Sequence, residues 1–373
     1  MNPREVSILV VAPTTSSNAL GRALSVADLA GRLGGETRVY GPGDGRLWRG
    51  AGQHDMEVRR FSSTRAVLAD AASLAPPLVV WVVKPLRPSW RVGELLARKR
   101  PVVTVLDLDD HDEALSREFR QRSLANRLRL HPLRMLHPSR VRQTRSAAVR
   151  AADAFTCSSD ALARELCLPA SRPRLRVPHP RPAGGGAPHV EAPDRRIHAG
   201  CLGTLREHKG LAVLGRLLER DSSLVLHAFD PAPSELLRYG DQVVAHAPAT
   251  PLSRIYAQLD VALLPQGDGL GARLQVPAKL LDSLRFGVPA LASPTPAIDE
   301  IAGDAYCAVP EWGDLDVVLD RIRSCAGERE RLGAKGRARF LRDLSIEAQI
   351  QPFEAFIAET TRLALSGPGV PAP

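Results

Sequence analysis

Gln275-Val-Pro-Ala-Lys-Leu-Leu-Asp-Ser-Leu-Arg-Phe-Gly-Val-Pro-Ala-Leu-Ala-Ser-Pro294 sets a helix directly before a strand. Pro277 suits the first turn of a helix, where its missing N–H has no intrahelical bond to lose. Leu280, Leu281, Leu284 and Phe286 recur at helical spacing and form one apolar stripe. Gly287 stands where helices end in a left-handed residue, and Val288-Pro-Ala-Leu-Ala-Ser293 reads as a short buried strand. Asp282 lies about one turn into the helix, within reach of a polar ligand at its N-terminus. A helix running at once into an apolar strand is the repeating unit of an α/β domain.

The same alternation extends in both directions. Val6 to Ala12 is a first strand, closed by Pro13, and Leu20 to Leu33 has helical spacing with Gly34-Gly35 as its stop. Thr37 to Tyr40 resumes a strand, and Leu78-Val-Val-Trp-Val-Val83 is the continuous apolar run of a strand buried on both faces. Trp90 to Arg100 reads as a helix and Val102 to Leu106 as a strand, with Asp107-Leu-Asp-Asp-His111 at its carboxyl end. Ala151 to Ser159 and Asp160 to Leu168 are a further strand and helix.

Arg181-Pro-Ala-Gly-Gly-Gly-Ala-Pro188 then has linker composition. A second α/β series starts at Ile197 and ends in amphipathic helices. We expect an N-terminal domain over residues 1–180, a linker over 181–195 and a second domain over 196–345. A last helix over 346–365 and a disordered tail over 366–373 follow.

A chain of 373 residues is long enough for two cores, and 44% apolar with 24% charged residues is a folded composition. Five scattered cysteines contain no C-x-x-C pair, which argues against a zinc ribbon or disulfide framework and for free thiols in a reducing cytoplasm. No apolar run approaches the ~18 residues of a spanning helix, so a cytoplasmic location is expected. The net charge of +9 is concentrated between Arg117 and Arg150, where ten arginines face the single acid Glu118. Such a region suits an anionic membrane surface or substrate. Nucleic acid is not expected, because Phe119 is the only aromatic there.

From Gly203 to about Glu359 the ordered motifs resemble glycosyltransferase family 4, enzymes of the GT-B architecture. Gly203-Thr-Leu-Arg-Glu-His-Lys-Gly210 is similar to the loop that contacts the donor diphosphate. Ile255 to Pro265 resembles the helix and strand before the donor site, and Lys279 to Ser293 the donor-ribose helix. The resemblance implies two Rossmann-like doubly wound domains facing a cleft, with a C-terminal helix crossing back to the first. It also implies a retaining, metal-independent hexosyltransferase without cofactor. Such an enzyme moves a sugar from a nucleotide diphosphate sugar, with UDP-sugar the expected donor, to a hydroxyl acceptor. That acceptor is a natural product, an aminocyclitol or a cell-envelope glycan.

Residue by residue, the implied diphosphate contacts are Gly203, Thr204, Arg206 and Lys209. A glycine-rich loop opening a helix offers backbone N–H groups, and the two cations add full charge against the leaving group. Gly269, Leu270, Gly271, Gln275, Lys279, Leu280 and Asp282 are the implied nucleoside and sugar contacts, with Asp282 accepting from the ribose hydroxyls. Asp107, Asp110 and His111 are expected as catalytic residues on the acceptor side, with Asn18 and Gly21 nearby.

Two positions depart from the family. Thr204 replaces an arginine after the loop glycine, and Leu274 stands where the first of two glutamates is usual. Three alternatives stay open. One is a GT-A transferase holding a metal through Asp107 and Asp109. A second, within GT-B, is a nucleotide-sugar epimerase that works on the donor with no acceptor. The third is a non-catalytic protein that binds sugar nucleotides.

Overall fold

Seven short segments of the N-terminal half form strands. They are β1 (Ser7–Val11), β2 (Thr37–Pro42), β3 (Val58–Phe61), β4 (Leu78–Val83), β5 (Val103–Leu108), β6 (Ala154–Cys157) and β7 (Arg174–Arg176). β-Branched or apolar runs make up β1, β4, β5 and β6. The computed structural model describes residues 5–43, 45, 47–184, 186, 189–190, 194, 196–203, 205 and 210–365. The expected disordered tail over 366–373 lies outside them. Two compact units emerge. The first runs to Pro180 and takes in Gly269–Gly271 and the chain from Gln349; the second comprises Arg181–Asp268 and Ala272–Ala348.

In the first unit the strands form one parallel sheet in the order β3-β2-β1-β4-β5-β6-β7. Helices Asn18–Gly31 and Arg87–Ala97 are among the crossovers between its strands. Every residue of β4 is buried, as its uniform apolar run requires. Trp81 at its centre is fully buried, with its ring 5.2 Å from Phe353 and 6.5 Å from Phe356. These phenylalanines lie on helix Ile346–Leu365, so the C-terminal helix closes the core of the N-terminal unit, as the resemblance implied.

The second unit holds β8 (Ile197–Gly200), β9 (Leu224–Phe229), β10 (Val243–His246), β11 (Val261–Leu264), β12 (Ala290–Ala292) and β13 (Cys307–Ala308). Their order, β10-β9-β8-β11-β12-β13, is again parallel and doubly wound. Arg181 begins this unit: it bridges to Ser345, and its carbonyl accepts the Ile346 amide at 2.8 Å.

Helix Ala278–Phe286 ends at Gly287, whose φ of +68° is the left-handed cap its sequence called for. Gly333 of helix Arg329–Arg339 crosses it so closely that a Cβ there would lie 2.0 Å from the Gly287 carbonyl oxygen. Across β8, β9 and β10 runs a row of imidazoles. His198 Nδ1 is 2.8 Å from His227 Nε2, and His227 Nδ1 is 2.8 Å from His246 Nε2. Asp194 anchors one end, 3.2 Å from His198 Nε2.

The five cysteines are free thiols; Cys157, Cys201 and Cys325 are buried and Cys167 is exposed. Among the described residues no helix is long and apolar enough to cross a membrane.

Candidate active-site residues

In an open parallel sheet, ligands bind beyond the carboxyl ends of the strands where the winding reverses. In the second unit that point lies between β8 and β11. β8 runs out through Cys201 and Leu202 to Gly203, whose φ is +146°. Thr204, Arg206 and Lys209, the expected diphosphate contacts, lie outside the described residues. Gly210 opens helix Leu211–Arg220 with a φ of +75°. A Cβ on Gly210 would lie 2.3 Å from Pro265 Cγ, so the start of this helix packs against the end of β11.

On the β11 side, the Gln266 amide donates to Ser293 Oγ at 2.9 Å, and that hydroxyl donates back to the Gln266 carbonyl at 3.2 Å. Helix Ala278–Phe286 starts at Pro277 with no side-chain cap; the Leu280 amide donates to the Pro277 carbonyl at 2.9 Å, and the Ala278 and Lys279 amides are left for a ligand. Lys279 on that turn donates to Cys201 Sγ at 3.1 Å and so joins the ends of β8 and the helix. Gln275 precedes the helix, its amide donating to the Ala272 carbonyl at 3.3 Å.

One helical turn on, Asp282 receives Arg181 Nε on Oδ1 at 2.8 Å, while its Oδ2 makes no hydrogen bond to a described residue. The charge is held in place and one oxygen remains for a hydroxyl donor.

One expected donor contact is corrected. Leu280 is fully buried in the core packed around this helix, so its side chain has no surface to offer a nucleoside. Gly269, Leu270 and Gly271 group with the first unit, where the Gly271 amide donates to Glu118 Oε1 at 2.9 Å.

In the first unit the winding reverses between β1 and β4. Ser17 Oγ caps helix Asn18–Gly31 by accepting the Ala19 amide at 3.3 Å, which places Asn18 on the first turn. Gly21, expected near the acceptor, instead makes room for Trp48: a Cβ would meet the indole ring at 2.9 Å.

Asp107 is the clearest correction. β5 runs on to Leu108, so Asp107 sits inside the strand, opposite Thr156 of β6, and is fully buried. Arg22 clamps it bidentately, Nε to Oδ2 at 2.9 Å and Nη2 to Oδ1 at 2.7 Å, and Thr156 Oγ1 donates to Oδ1 at 2.7 Å. Arg22 Nη2 also donates to the Val177 carbonyl at 2.8 Å. Burial disfavours the Arg22 charge, but Asp107 outweighs it and raises the guanidinium pKa. No substrate reaches such a carboxylate; Asp107 is structural.

Beyond the strand, Lys84 has a φ of +59° and sends its ammonium among three carboxylates. Nζ lies 2.7 Å from Asp110, 2.8 Å from Asp109 and 3.1 Å from Asp112. Burial pushes the Asp109 carboxyl up to about 7 against the pull of Lys84. Asp107 is thus paired with Arg22, and Asp109 shares Lys84 with two other acids, an arrangement that does not fit the metal pair of the GT-A alternative. His111 caps helix Asp112–Gln121 by accepting the Ala114 amide on Nδ1 at 3.1 Å. Burial, and then Arg145, lower its pKa and keep the ring neutral, with its proton on Nε2. In that tautomer His111 offers its Nε2–H as a hydrogen-bond donor. The Arg22 clamp and the Arg181 partner of Asp282 were both missed in the sequence, because each lies far along the chain from its acid.

Comparison with solved structures now decides the architecture. Sucrose-phosphate synthase of Thermosynechococcus elongatus superposes with a TM-score of 0.71 at 15% identity, over 96% of this chain and 99% of that one. The fold is GT-B. HepE of Anabaena, solved with UDP and glucose, matches with a TM-score of 0.69 at 14% identity over 95% of this chain and 99% of its own. A glycosyltransferase of Rickettsia africae gives 0.65 at 10% identity over 95% and 98%. At such identities the likeness is one of fold. No family model matches the sequence, and no curated protein matches it.

Proposed function

We propose that this GT-B protein transfers a sugar from a nucleotide diphosphate sugar, with UDP as its carrier, to the hydroxyl of an acceptor. The observation that carries this reading is the Arg181-held Asp282, with Lys279 one turn before it, at the winding reversal of the second sheet. That placement suits a nucleotide. An acid with one free oxygen accepts from ribose hydroxyls, while uncapped amides and Lys279 face the phosphates. HepE, which shares the fold, was solved with UDP-glucose.

Lys209 and Arg206 supply the remaining charge in this reading. Negative charge grows on the diphosphate as the glycosidic bond breaks, and fixed cations and amides stabilise it without a metal; losing one such donor typically costs ~10²–10³ in rate. On the acceptor side, His111 donates from Nε2 to the incoming or transferring group. Retention of configuration, transfer of a hexose and a cytoplasmic location complete the reading. The acceptor is a small natural product, an aminocyclitol or a cell-envelope glycan.

A thermal-shift screen of nucleotide sugars tests it. UDP-sugars should raise the melting temperature of the wild type and have little effect on Lys209→Ala or Asp282→Ala. Equal shifts in all three proteins would remove these residues from the donor site. Donor binding without transfer to any acceptor would favour a non-catalytic binding protein, a reading that Leu274, at the usual glutamate position, already motivates.

A further inference from the structure

Helix Leu124–Arg129 has no buried residue. A six-residue helix is not stable by propensity alone, and one that covers no core lacks the usual reason to form. Its two leucines, Leu124 and Leu128, lie one turn apart on one side and are 71% and 68% exposed. The loop that follows adds Leu133 at 73%, Met135 at 41% and Leu136 at 42%. Five of the twelve strongly exposed large apolar residues among the described ones therefore fall within positions 124–136. Scattered singly such residues mean little; gathered on one short segment they mark an interaction surface.

Charge surrounds this apolar patch. Arg127, Arg129, Arg134 and Arg142 make no side-chain hydrogen bond or ion pair to any described residue. Arg117, Arg120, Arg127 and Arg142, with Ser139 on the first turn of helix Pro138–Ala151, line a cavity of about 460 Å³. Glu113 also lines it, but that carboxylate is already bound by Arg117 and Arg145. The cavity has the size and charge for a phosphate headgroup, and the leucines beside it have the chemistry of acyl chains.

We infer that the surface formed by positions 117–142 docks the protein on an anionic phospholipid bilayer. Leu124, Leu128 and Leu133 enter the interface, and the free arginines engage headgroup phosphates. The pattern is that of an interfacial segment, apolar on one side and rich in arginine around it. It goes beyond the transfer reaction and stands or falls independently of it.

Co-sedimentation of the full chain with vesicles tests the inference. Phosphatidylcholine vesicles with and without phosphatidylglycerol are compared for the wild type, Leu124→Ser/Leu128→Ser and Arg127→Gln/Arg142→Gln. These side chains are exposed, so all three proteins should melt alike, and a melting curve checks that. The wild type should bind the anionic vesicles and release as salt is raised. Each arginine near an anionic surface is worth about fivefold in affinity, so the arginine pair should lose about 25-fold. The leucine pair should lose about tenfold or more. Absence of binding to anionic vesicles, or binding unchanged in both variants, overturns the inference. So does a wild-type dimer lost in the leucine variant without vesicle binding, which would make this face a contact between two copies.

Discussion

Arg181 holds Asp282 through a single Nε to Oδ1 hydrogen bond of 2.8 Å and leaves Oδ2 without a described partner. The pair spans 101 positions of the second unit's chain and is largely shielded from water. Arg181 is thus a positioning residue for the ribose contact proposed for Asp282. Arg181→Gln should raise the KM for the nucleotide sugar about tenfold while changing kcat much less, since a charge-assisted bond of this kind is worth about 1.5–3 kcal/mol. Asp282→Ala should weaken donor use more strongly. Steady-state kinetics at saturating acceptor separates these effects; a fall in kcat alone would place Arg181 in another role.

The buried Arg22–Asp107 pair makes the opposite prediction. Asp107→Asn leaves the Arg22 charge without its counterion in a site closed to water, which costs about 3–5 kcal/mol of stability. Urea unfolding should show that loss, and activity per folded molecule should persist. A variant as stable as the wild type but without turnover would return Asp107 to the catalytic residues.

Acid should destabilise the second unit through its imidazole row. His227 is buried, and burial, then His246 and His198, push its pKa down to about 3, with Asp194 pulling weakly the other way. Unfolded, the ring titrates near 6.5. Between those values the unfolded state binds the extra proton, so the contribution of the neutral ring is intact above about pH 6.5 and fades as pH falls toward 3. The slope from this group is about 1.4 kcal/mol per pH unit. Denaturation measured from pH 7 to pH 4 should show it, and His227→Gln should flatten it. An unchanged slope in that variant would assign the acid sensitivity elsewhere.

Close helix crossing supplies a fourth test. Gly333→Ala would place a methyl group 2.0 Å from the Gly287 carbonyl, backbone against backbone, where neither can yield cheaply. The expected cost is about 1–3 kcal/mol, read as a lower melting temperature. A neutral substitution would mean the two helices can slide apart.

Much of this architecture is legible one segment at a time. The apolar run of β4 and the Pro277-to-Gly287 helix are local patterns, and each appears where its residues demand. β3, β7 and β10 are less legible: short, partly exposed segments such as Val58–Phe61, Arg174–Arg176 and Val243–His246 lack a continuous apolar run. The site was legible in residue type more than in role. Asp107 reads as the end of a strand because acids seldom sit inside one. It is tolerated there only because Arg22, 85 positions earlier, and Thr156, 49 positions later, converge on it. Likewise the linker composition after Pro180 conceals Arg181, whose function depends on a helix a hundred positions away. Exposure was the least legible property: arginine-rich composition marked Arg117–Arg150, but only the fold shows the leucines facing outward.

Release of nucleoside diphosphate from a panel of nucleotide sugars, measured with and without a panel of hydroxyl acceptors, tests the central claim most directly. The wild type should release UDP from at least one UDP-sugar, faster with an acceptor present, and Asp282→Ala should lower that rate severalfold or more. No release from any nucleotide sugar, or release that ignores Asp282→Ala and Arg181→Gln alike, would contradict the donor site described for the second unit.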